Sequence, residues 1–414
     1  MAGGQQECSV IMYGEFSMMK ILFITSVNLA SNPRLVKEVR LAVKSGFSVT
    51  VIQFRMGNWT DELTDELMQQ FSSVRFIGLS AMRKPFLPWF LSSVMNKIFS
   101  LLPLDMLPST LLSVAIGKRS LLLLQRLQTI QEKFDWVIAH NPAAFYPAKW
   151  FAKKRNAKLG IDVEDYHPGE TTNPKLSTMM KKLMQQTLPA ASYCSYAAPL
   201  IAAEVQRDIP AIKEPQFVIL NGFDAVEFQS PVTNKKAALQ LVWFSQHIDA
   251  GRGLEAIIPA VNQLYPAVEL QLVGFLHESF ARRFLQDKRG ITIHAPLPQQ
   301  DLHQLLAHCD VGLAADVPVN KNRELALTNK MLAYAQSGLL IVATTTASHM
   351  QFLEMGELDY RIVDGSSVSY RQIFEMLIEA KENIRQQAKS RYEKGRVFDA
   401  LHLYRPLFDL LNNN

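Results

Sequence analysis

Along this chain, short unbroken apolar runs suited to parallel strands covered on both faces are separated by stretches in which apolar residues return at helical spacing. Residues 21–25 are such a run. After a polar loop, 26–31, a helix is signalled by Asn32 as its cap, Pro33 at its first position, and Leu35, Val39, Ala42 and Val43 along one side. Gly46 ends it, and 48–54 is the next strand. This is a βαβ unit without the G-x-G-x-x-G turn of a dinucleotide site. Further strands are expected at 74–79, 136–139, 158–163, 190–196 and 217–220, with a helix over 142–156. Between 84 and 127 the pattern changes to apolar clusters broken by prolines and bases, which predicts short amphipathic helices. These either pack on the sheet and on each other, or form a surface that dips into a membrane. In the second case Trp89, Phe90 and Phe99 would enter the acyl boundary, with Arg83, Lys84, Lys97, Lys118 and Arg119 near headgroups.

Polar residues 230–236 read as a linker, and a second alternation follows. It comprises a strand at 239–244, a loop at 245–253 containing Gly251-Arg252-Gly253, a helix at 254–264, strands at 269–273 and 291–294, a helix at 301–308 and a strand at 310–314. A polar loop of Asn322, Arg323 and Glu324 leads into a helix at 327–337, closed by Gly338, and then into the apolar strand 339–343. Helices near 367–389 and 396–411 complete the chain. The predicted fold class is α/β, with two tandem Rossmann-like, doubly wound parallel-sheet domains and a cleft between them. Residues 1–19 are expected to be a disordered lead-in, 20–230 the first domain with the apolar insertion, 231–395 the second, and 396–414 a C-terminal helix placed to pack back on the first. In such sheets ligands bind beyond the carboxyl ends of the strands, where helix N-termini offer free N–H groups to anions.

With 414 residues, 48% hydrophobic and 20% charged, the chain is neither disordered nor short of core material for two domains. A net charge of +5, scattered rather than gathered in a tail, favours small anionic ligands or lipid headgroups over nucleic acid, which is not expected as a partner. Cys8, Cys194 and Cys309 form no close pair, so neither a disulfide framework nor a zinc knuckle is expected, and a reducing, cytoplasmic setting fits best. No run approaches the roughly 18 apolar residues of a membrane span. The first residues lack a basic region followed by an apolar one, so a signal peptide is not expected, and Met18 or Met19 is the expected functional start.

Two successive strand ends place His140, and then Glu164, Asp165 and His167, on one edge of the first sheet. No zinc-like spacing joins them, so they are expected to line or activate an acceptor rather than hold a metal.

Asn221-Gly222-Phe223-Asp224 with Phe228 resembles the N-G-x-D-x-x-x-F signature of two-domain glycosyltransferases of the GT-B fold, close to the large retaining family 4. The segment 244–257, FSQHIDAGRGLEAI, resembles that family's strand, loop and helix; LTNKMLAYAQSGLLIVAT, NPRLVKEV with GFSVTVI, AHNPAAF and DVEDYH resemble further segments in the same order, from about Lys20 to about Leu411. The resemblance implies a nucleoside diphosphate sugar as donor and no further cofactor or metal. It places Ser245, Arg252, Gly253, Glu324, Thr328, Asn329 and Lys330 on the donor, and His140, Glu164, Asp165 and His167 on the acceptor side as the catalytic group. Ala333 stands where the family commonly has the second of two glutamates, Glu324 is the only acid near the first, and His247 replaces a second base of the diphosphate loop.

The implied activity is transfer of a glycosyl group to a glycan or lipid-linked acceptor, in cell-surface polysaccharide or glycoconjugate synthesis at the inner face of a membrane. A nucleotide-sugar 2-epimerase of the same architecture and a non-catalytic sugar-nucleotide-binding module are the alternatives. The apolar 84–127 segment favours the transferase.

Overall fold

The structure is a computed structural model of the chain and describes residues 18–104, 107–232 and 234–413. Most of the expected lead-in, with Cys8, lies outside the described residues, as does Asp105, an acid within the apolar 84–127 segment. Seven parallel strands form the first sheet: β1 (Lys20–Thr25), β2 (Ser48–Arg55), β3 (Arg75–Ser80), β4 (Trp136–His140), β5 (Lys158–Val163), β6 (Tyr193–Tyr196) and β7 (Gln216–Val218), in the order β3-β2-β1-β4-β5-β6-β7. Six more form the second: β8 (Leu239–Ile248), β9 (Val268–Leu276), β10 (Ile291–His294), β11 (Val311–Ala314), β12 (Leu340–Thr344) and β13 (Tyr360–Val363), in the order β10-β9-β8-β11-β12-β13. Each order reverses once, between β1 and β4 and between β8 and β11. A crevice opens at such a reversal, because the flanking helices depart to opposite faces.

Alternation along each strand feeds two cores per domain. On β1, Leu22 and Ile24 enter one cluster with Phe145 and Phe151 of the Pro142–Arg155 helix, whereas Ile21 and Phe23 enter another with Leu35 and Val39 of the Pro33–Lys44 helix. The helix Ala400–Asn412 lies over this second face. Its Tyr404, Leu407, Phe408 and Leu411 belong to the first domain's core, with the Phe408 ring 6.3 Å from Phe47. The chain therefore crosses between domains twice, at Asn221–Phe223 and at Phe398–Ala400, and the crossings touch: a Cβ on Gly222 would lie 1.9 Å from the Phe398 carbonyl oxygen.

Several boundaries differ from the sequence expectation. β8 continues through Ser245–Ile248, expected to be loop, because it resumes pairing with β9 after a bulge between Phe244 and His247. Asn322–Glu324 are not loop but belong to a short helix, Lys321–Leu325, capped by Asn320, and the following helix starts only at Asn329. The single helix expected over 367–389 is two, Ser367–Glu379 and Lys381–Gly395, which meet at Ala380. Gly46 and Gly338 end their helices with φ of +83° and +75°, as their positions suggested.

Candidate functional site

The wall on which the donor is expected is built where β8 and the Leu254–Leu264 helix meet. Gly253 caps that helix with φ +79° and no side-chain cap bond, while the Ala256 N–H bonds back to the Gly253 carbonyl (3.3 Å). A Cβ here would lie 2.6 Å from both the Cβ and the carbonyl oxygen of Ala315, so glycine is needed for conformation and for close approach to the end of β11. Arg252 is half-buried, and its guanidinium donates to Ser245 Oγ (2.9 Å) with no carboxylate partner among the described residues. Ser245, Phe244, Asn329, Lys330, Pro296 and Leu297 share the lining of a cavity of about 320 Å³.

Thr328, Asn329 and Lys330 sit at the start of the Asn329–Gln336 helix, whose N-terminus also lacks a side-chain cap. Thr328 Oγ1 donates to Asp316 Oδ2 (3.2 Å), Lys330 Nζ pairs with Asp316 Oδ1 (3.2 Å), and His349 Nε2 lies 3.6 Å from the same carboxylate. Burial alone would raise the Asp316 pKa, but Lys330 and His349 hold it well below the usual carboxylate range. Lys330 is buried, and its Nζ stands 5.7 Å from the Trp243 ring centre. Asn329 accepts from Asn221 Nδ2 (2.9 Å). Glu324 accepts from the Ala347 N–H (2.9 Å) and so serves the first turn of the Ala347–Met355 helix.

On the opposite wall, Glu164 and Asp165 leave the carboxyl end of β5. Glu164 is half-buried and has no hydrogen-bond partner among the described residues. Burial, and then the neighbouring Asp165 and Asp162, push its pKa up to about 7, against the pull of Arg34 and His140. A carboxyl with that value can hold or release a proton near neutrality. Asp165, whose pKa burial also raises, accepts from Asn322 Nδ2 (2.8 Å), and Asn322 Oδ1 accepts from the Tyr166 N–H (2.8 Å). One asparagine of the second domain thus clamps the β5 loop of the first.

The two histidines are placed differently from the sequence expectation. His140 is buried, with Nε2 3.2 Å from Glu38 and Nδ1 3.4 Å from Asp162. Burial disfavours its charge, yet the two carboxylates outweigh it and raise the pKa to about 10, so the ring is an imidazolium without access to a substrate. His167 is likewise buried: Nδ1 lies 2.8 Å from Glu170, and its ring centre is 5.9 Å from that of Phe145. Asn141, after His140 at the β1–β4 reversal, takes φ 69°, an uncommon conformation for a side-chain-bearing residue, and its Oδ1 accepts from Thr25 Oγ1 (2.7 Å).

Residues that the sequence reading passed over hold this arrangement. Arg34 and Asp162, both fully buried, pair at 2.7 Å. Glu38, His140 and Asp162 are the metal-like grouping among the described residues, their ligand atoms within 4.8 Å of one another. Two carboxylates against one guanidinium and one imidazolium balance in charge, and the protonated ring has no lone pair for an ion. Lys37 Nζ donates to the Asn221 carbonyl (2.8 Å) and Oδ1 (2.6 Å) and lies 4.5 Å from the Phe223 ring centre; burial, then Arg34, lower its pKa to about 7. A continuous path, Lys37 to Asn221 to Asn329, joins the Pro33–Lys44 helix of one domain to the Asn329–Gln336 helix of the other. Charged residues at i, i+3 and i+4 beside the apolar stripe of the Pro33–Lys44 helix were the sequence signal for this network.

No protein-family model matches the chain, and no curated protein matches its sequence. Solved structures do share its architecture. The Anabaena protein HepE, solved in complex with UDP, is 16% identical over 96% of this chain and 100% of its own, with a TM-score of 0.67. A glycosyltransferase from Rickettsia africae is 12% identical over 96% and 99%, with a TM-score of 0.65. The chain has the GT-B fold. A UDP-N-acetylglucosamine 2-epimerase also aligns, at 11% identity over 96% of each chain, with a lower TM-score of 0.57.

Proposed function

We propose that this protein is a nucleotide-sugar-dependent glycosyltransferase. The observation that carries the reading is the pairing of two unlike walls: an uncompensated Arg252 guanidinium and two helix N-termini without side-chain caps on one, and the carboxyl of Glu164, its pKa raised to about 7, on the other. As the bond between the sugar's anomeric carbon and the diphosphate oxygen breaks, negative charge grows on the leaving diphosphate, where Arg252 and the helix N–H groups stabilise it without a metal. The acceptor hydroxyl oxygen bonds to the anomeric carbon, and its proton passes to Glu164. His140 and His167 then act through position, by fixing β4 and the β5 loop. Similarity to proteins solved with UDP supports a uridine nucleotide as the first donor to try. The acceptor is proposed to be a glycan or lipid-linked sugar of cell-surface polysaccharide or glycoconjugate synthesis, met at the inner face of a membrane. The resemblance to family 4 supports a retaining course, in which the acceptor oxygen joins the anomeric carbon on the face that the diphosphate leaves, and Ala333 at the usual glutamate position leaves inversion as the alternative outcome of product analysis.

A thermal-shift panel of nucleotide sugars tests donor binding, since a ligand at 100 times its dissociation constant stabilises by about 2.7 kcal/mol. No shift with any member would refute the reading. Product analysis then separates the alternatives. A transferase releases nucleoside diphosphate, faster with its acceptor, and the anomeric configuration of the product reports retention; an epimerase inverts C2 without stoichiometric release; a binding module leaves the donor intact.

A further inference from the structure

The helix Phe86–Leu101 is folded inside out. At about 100° per residue, Phe86, Leu87, Phe90, Leu91, Val94, Ile98 and Leu101 fall within one arc of roughly 140°, and every one is exposed, with Phe86 at 61%, Leu87 at 63% and Leu101 at 72%. The opposite side, turned to the protein, mixes Trp89, Met95 and Phe99 with small and polar residues. Ser92 is fully buried, and Asn96 Nδ2 donates to the carbonyls of Val114 (2.7 Å) and Ala115 (3.0 Å). A helix on a water-facing surface places these sides the other way round. The apolar arc is too extensive to count as scattered surface leucines.

Position and charge say what covers it. From Phe76 to Gln131 the bases are Arg83, Lys84, Lys97, Lys118, Arg119 and Arg126, and Asp105 is the lone acid. Lys97 is exposed within the arc, between Phe86 and Phe90 in helical angle, and Arg83 and Lys118 flank the half-buried Trp89, 5.3 Å and 5.1 Å from its ring centre. Two copies meeting face to face would bring these bases against each other. An anionic surface would not. No helix among the described residues is long and apolar enough to cross a membrane, and this one, about 24 Å long, suits lying flat in the headgroup boundary. It hangs from the carboxyl end of β3, where Ser80 Oγ donates to the Lys84 carbonyl (2.6 Å), and the adjoining Arg119 donates to the Ser26 carbonyl beyond β1 (2.7 Å). The helix therefore hangs from the same carboxyl edge of the first sheet on which the crevice opens. The membrane-facing set differs from the sequence expectation: Phe99 packs inward, Trp89 lies under its cations, and Arg119 is held by Ser26.

We propose that the exposed face of Phe86–Leu101 docks the protein on an anionic bilayer, so that its crevice opens toward molecules carried in the headgroup layer. The docking stands on these residues alone; that the molecule taken up is a lipid-linked acceptor rests on the transferase reading. Flotation with phosphatidylglycerol–phosphatidylcholine vesicles tests it, against pure phosphatidylcholine and at high salt. The wild type should float with the anionic vesicles and less so at high salt. The triple variant Phe86→Ser, Leu87→Ser, Phe90→Ser, which removes only exposed side chains, should lose about tenfold or more of that binding with an unchanged melting temperature. The double variant Lys84→Glu, Lys97→Glu should lose the preference for anionic lipid. Failure of the wild type to float, equal flotation of the triple variant, or a dimer in sedimentation velocity that the triple variant dissolves in the absence of vesicle binding would overturn the proposal. Nucleotide-sugar thermal shifts on the same variants read the donor site separately, so the failure of one proposal leaves the other standing.

Discussion

Glu164→Gln should make the protein more stable and less active, and the stabilisation should appear only above a defined pH. In the unfolded chain this carboxyl loses its proton near the ordinary value of 4.5, and in the fold near 7. Between those values the native state binds more protons, so the stability linked to Glu164 is present in full below pH 4.5, erodes as pH rises, and is gone above 7. At roughly 1.4 kcal/mol per pH unit the gap corresponds to about 3 kcal/mol, and partial contact with solvent brings it to about 1–3 kcal/mol. Glutamine never ionises and escapes this loss. The variant should match the wild type at pH 4.5 and exceed it at pH 8.5, by about 2–4 °C of melting temperature for each kcal/mol. If the same carboxyl takes the acceptor's proton, transfer should fall by about 10²–10⁴-fold while donor affinity holds. Differential scanning calorimetry across the pH range, with initial-rate and titration measurements on the same preparations, checks all three. Melting temperatures of the two proteins that run parallel from pH 4.5 to 8.5 would refute the perturbed carboxyl, and wild-type transfer by the variant would refute its role.

Arg252→Ala should weaken nucleotide-sugar binding by about 1.5–3 kcal/mol, the range for a hydrogen bond to a charged group, and depress transfer with it; isothermal titration calorimetry reads the first. Gly253→Ala forces a Cβ against Ala315 at an unfavourable φ, so it should cost on the order of 1–3 kcal/mol in urea unfolding and also weaken the donor, whereas Gly251→Ala, with nothing within 4 Å of its Cβ, should meet backbone strain alone. Asp162→Asn strips the charge partner from Arg34 and His140 together and should destabilise by about 3–5 kcal/mol in the same assay.

How much of this was legible in the sequence depended on the range of the interactions involved. Strands such as β1, β5 and β12 are local statements, short apolar runs bounded by turn residues, and Asn32 with Pro33 announced a helix whose cap bond to Leu35 N–H is present at 3.0 Å. The helix Thr60–Gln69 gave no such notice: its buried positions are Thr60 and Thr64, which bond to neighbours rather than form an apolar stripe. β13 carries an exposed Arg361 and sits at a sheet edge, so its run is too weak to stand out. At the site, Arg252, Gly253 and Glu164 could be found because a loop or a strand end locates them directly. Asp165 was found for its charge, but its partner Asn322 lies 157 positions away, and no local pattern joins the two. Arg34, Lys37 and Glu38 were hidden in another way. Charged residues on a helix read as its wet side, and here they turn inward because Asp162, His140 and Asn221 arrive from distant parts of the chain to meet them.

The C-terminal helix sets a timetable for the making of the protein. Tyr404, Leu407, Phe408 and Leu411 close the core around Ile21, Phe23 and Phe47, so the domain that leaves the ribosome first cannot be sealed until these residues follow. At roughly 5–20 residues per second, the ~190 residues between β7 and Tyr404 leave one face of the first sheet covered by the Pro33–Lys44 helix without its C-terminal partner for about 10–40 s. The second domain, whose sheet and flanking helices run from 239 to 395, can close before the first one does. A chain cut just before residue 400 would therefore keep the domain nearest the break and lose the order of the one at the far end, with Ile21 and Phe23 stripped of their C-terminal cover.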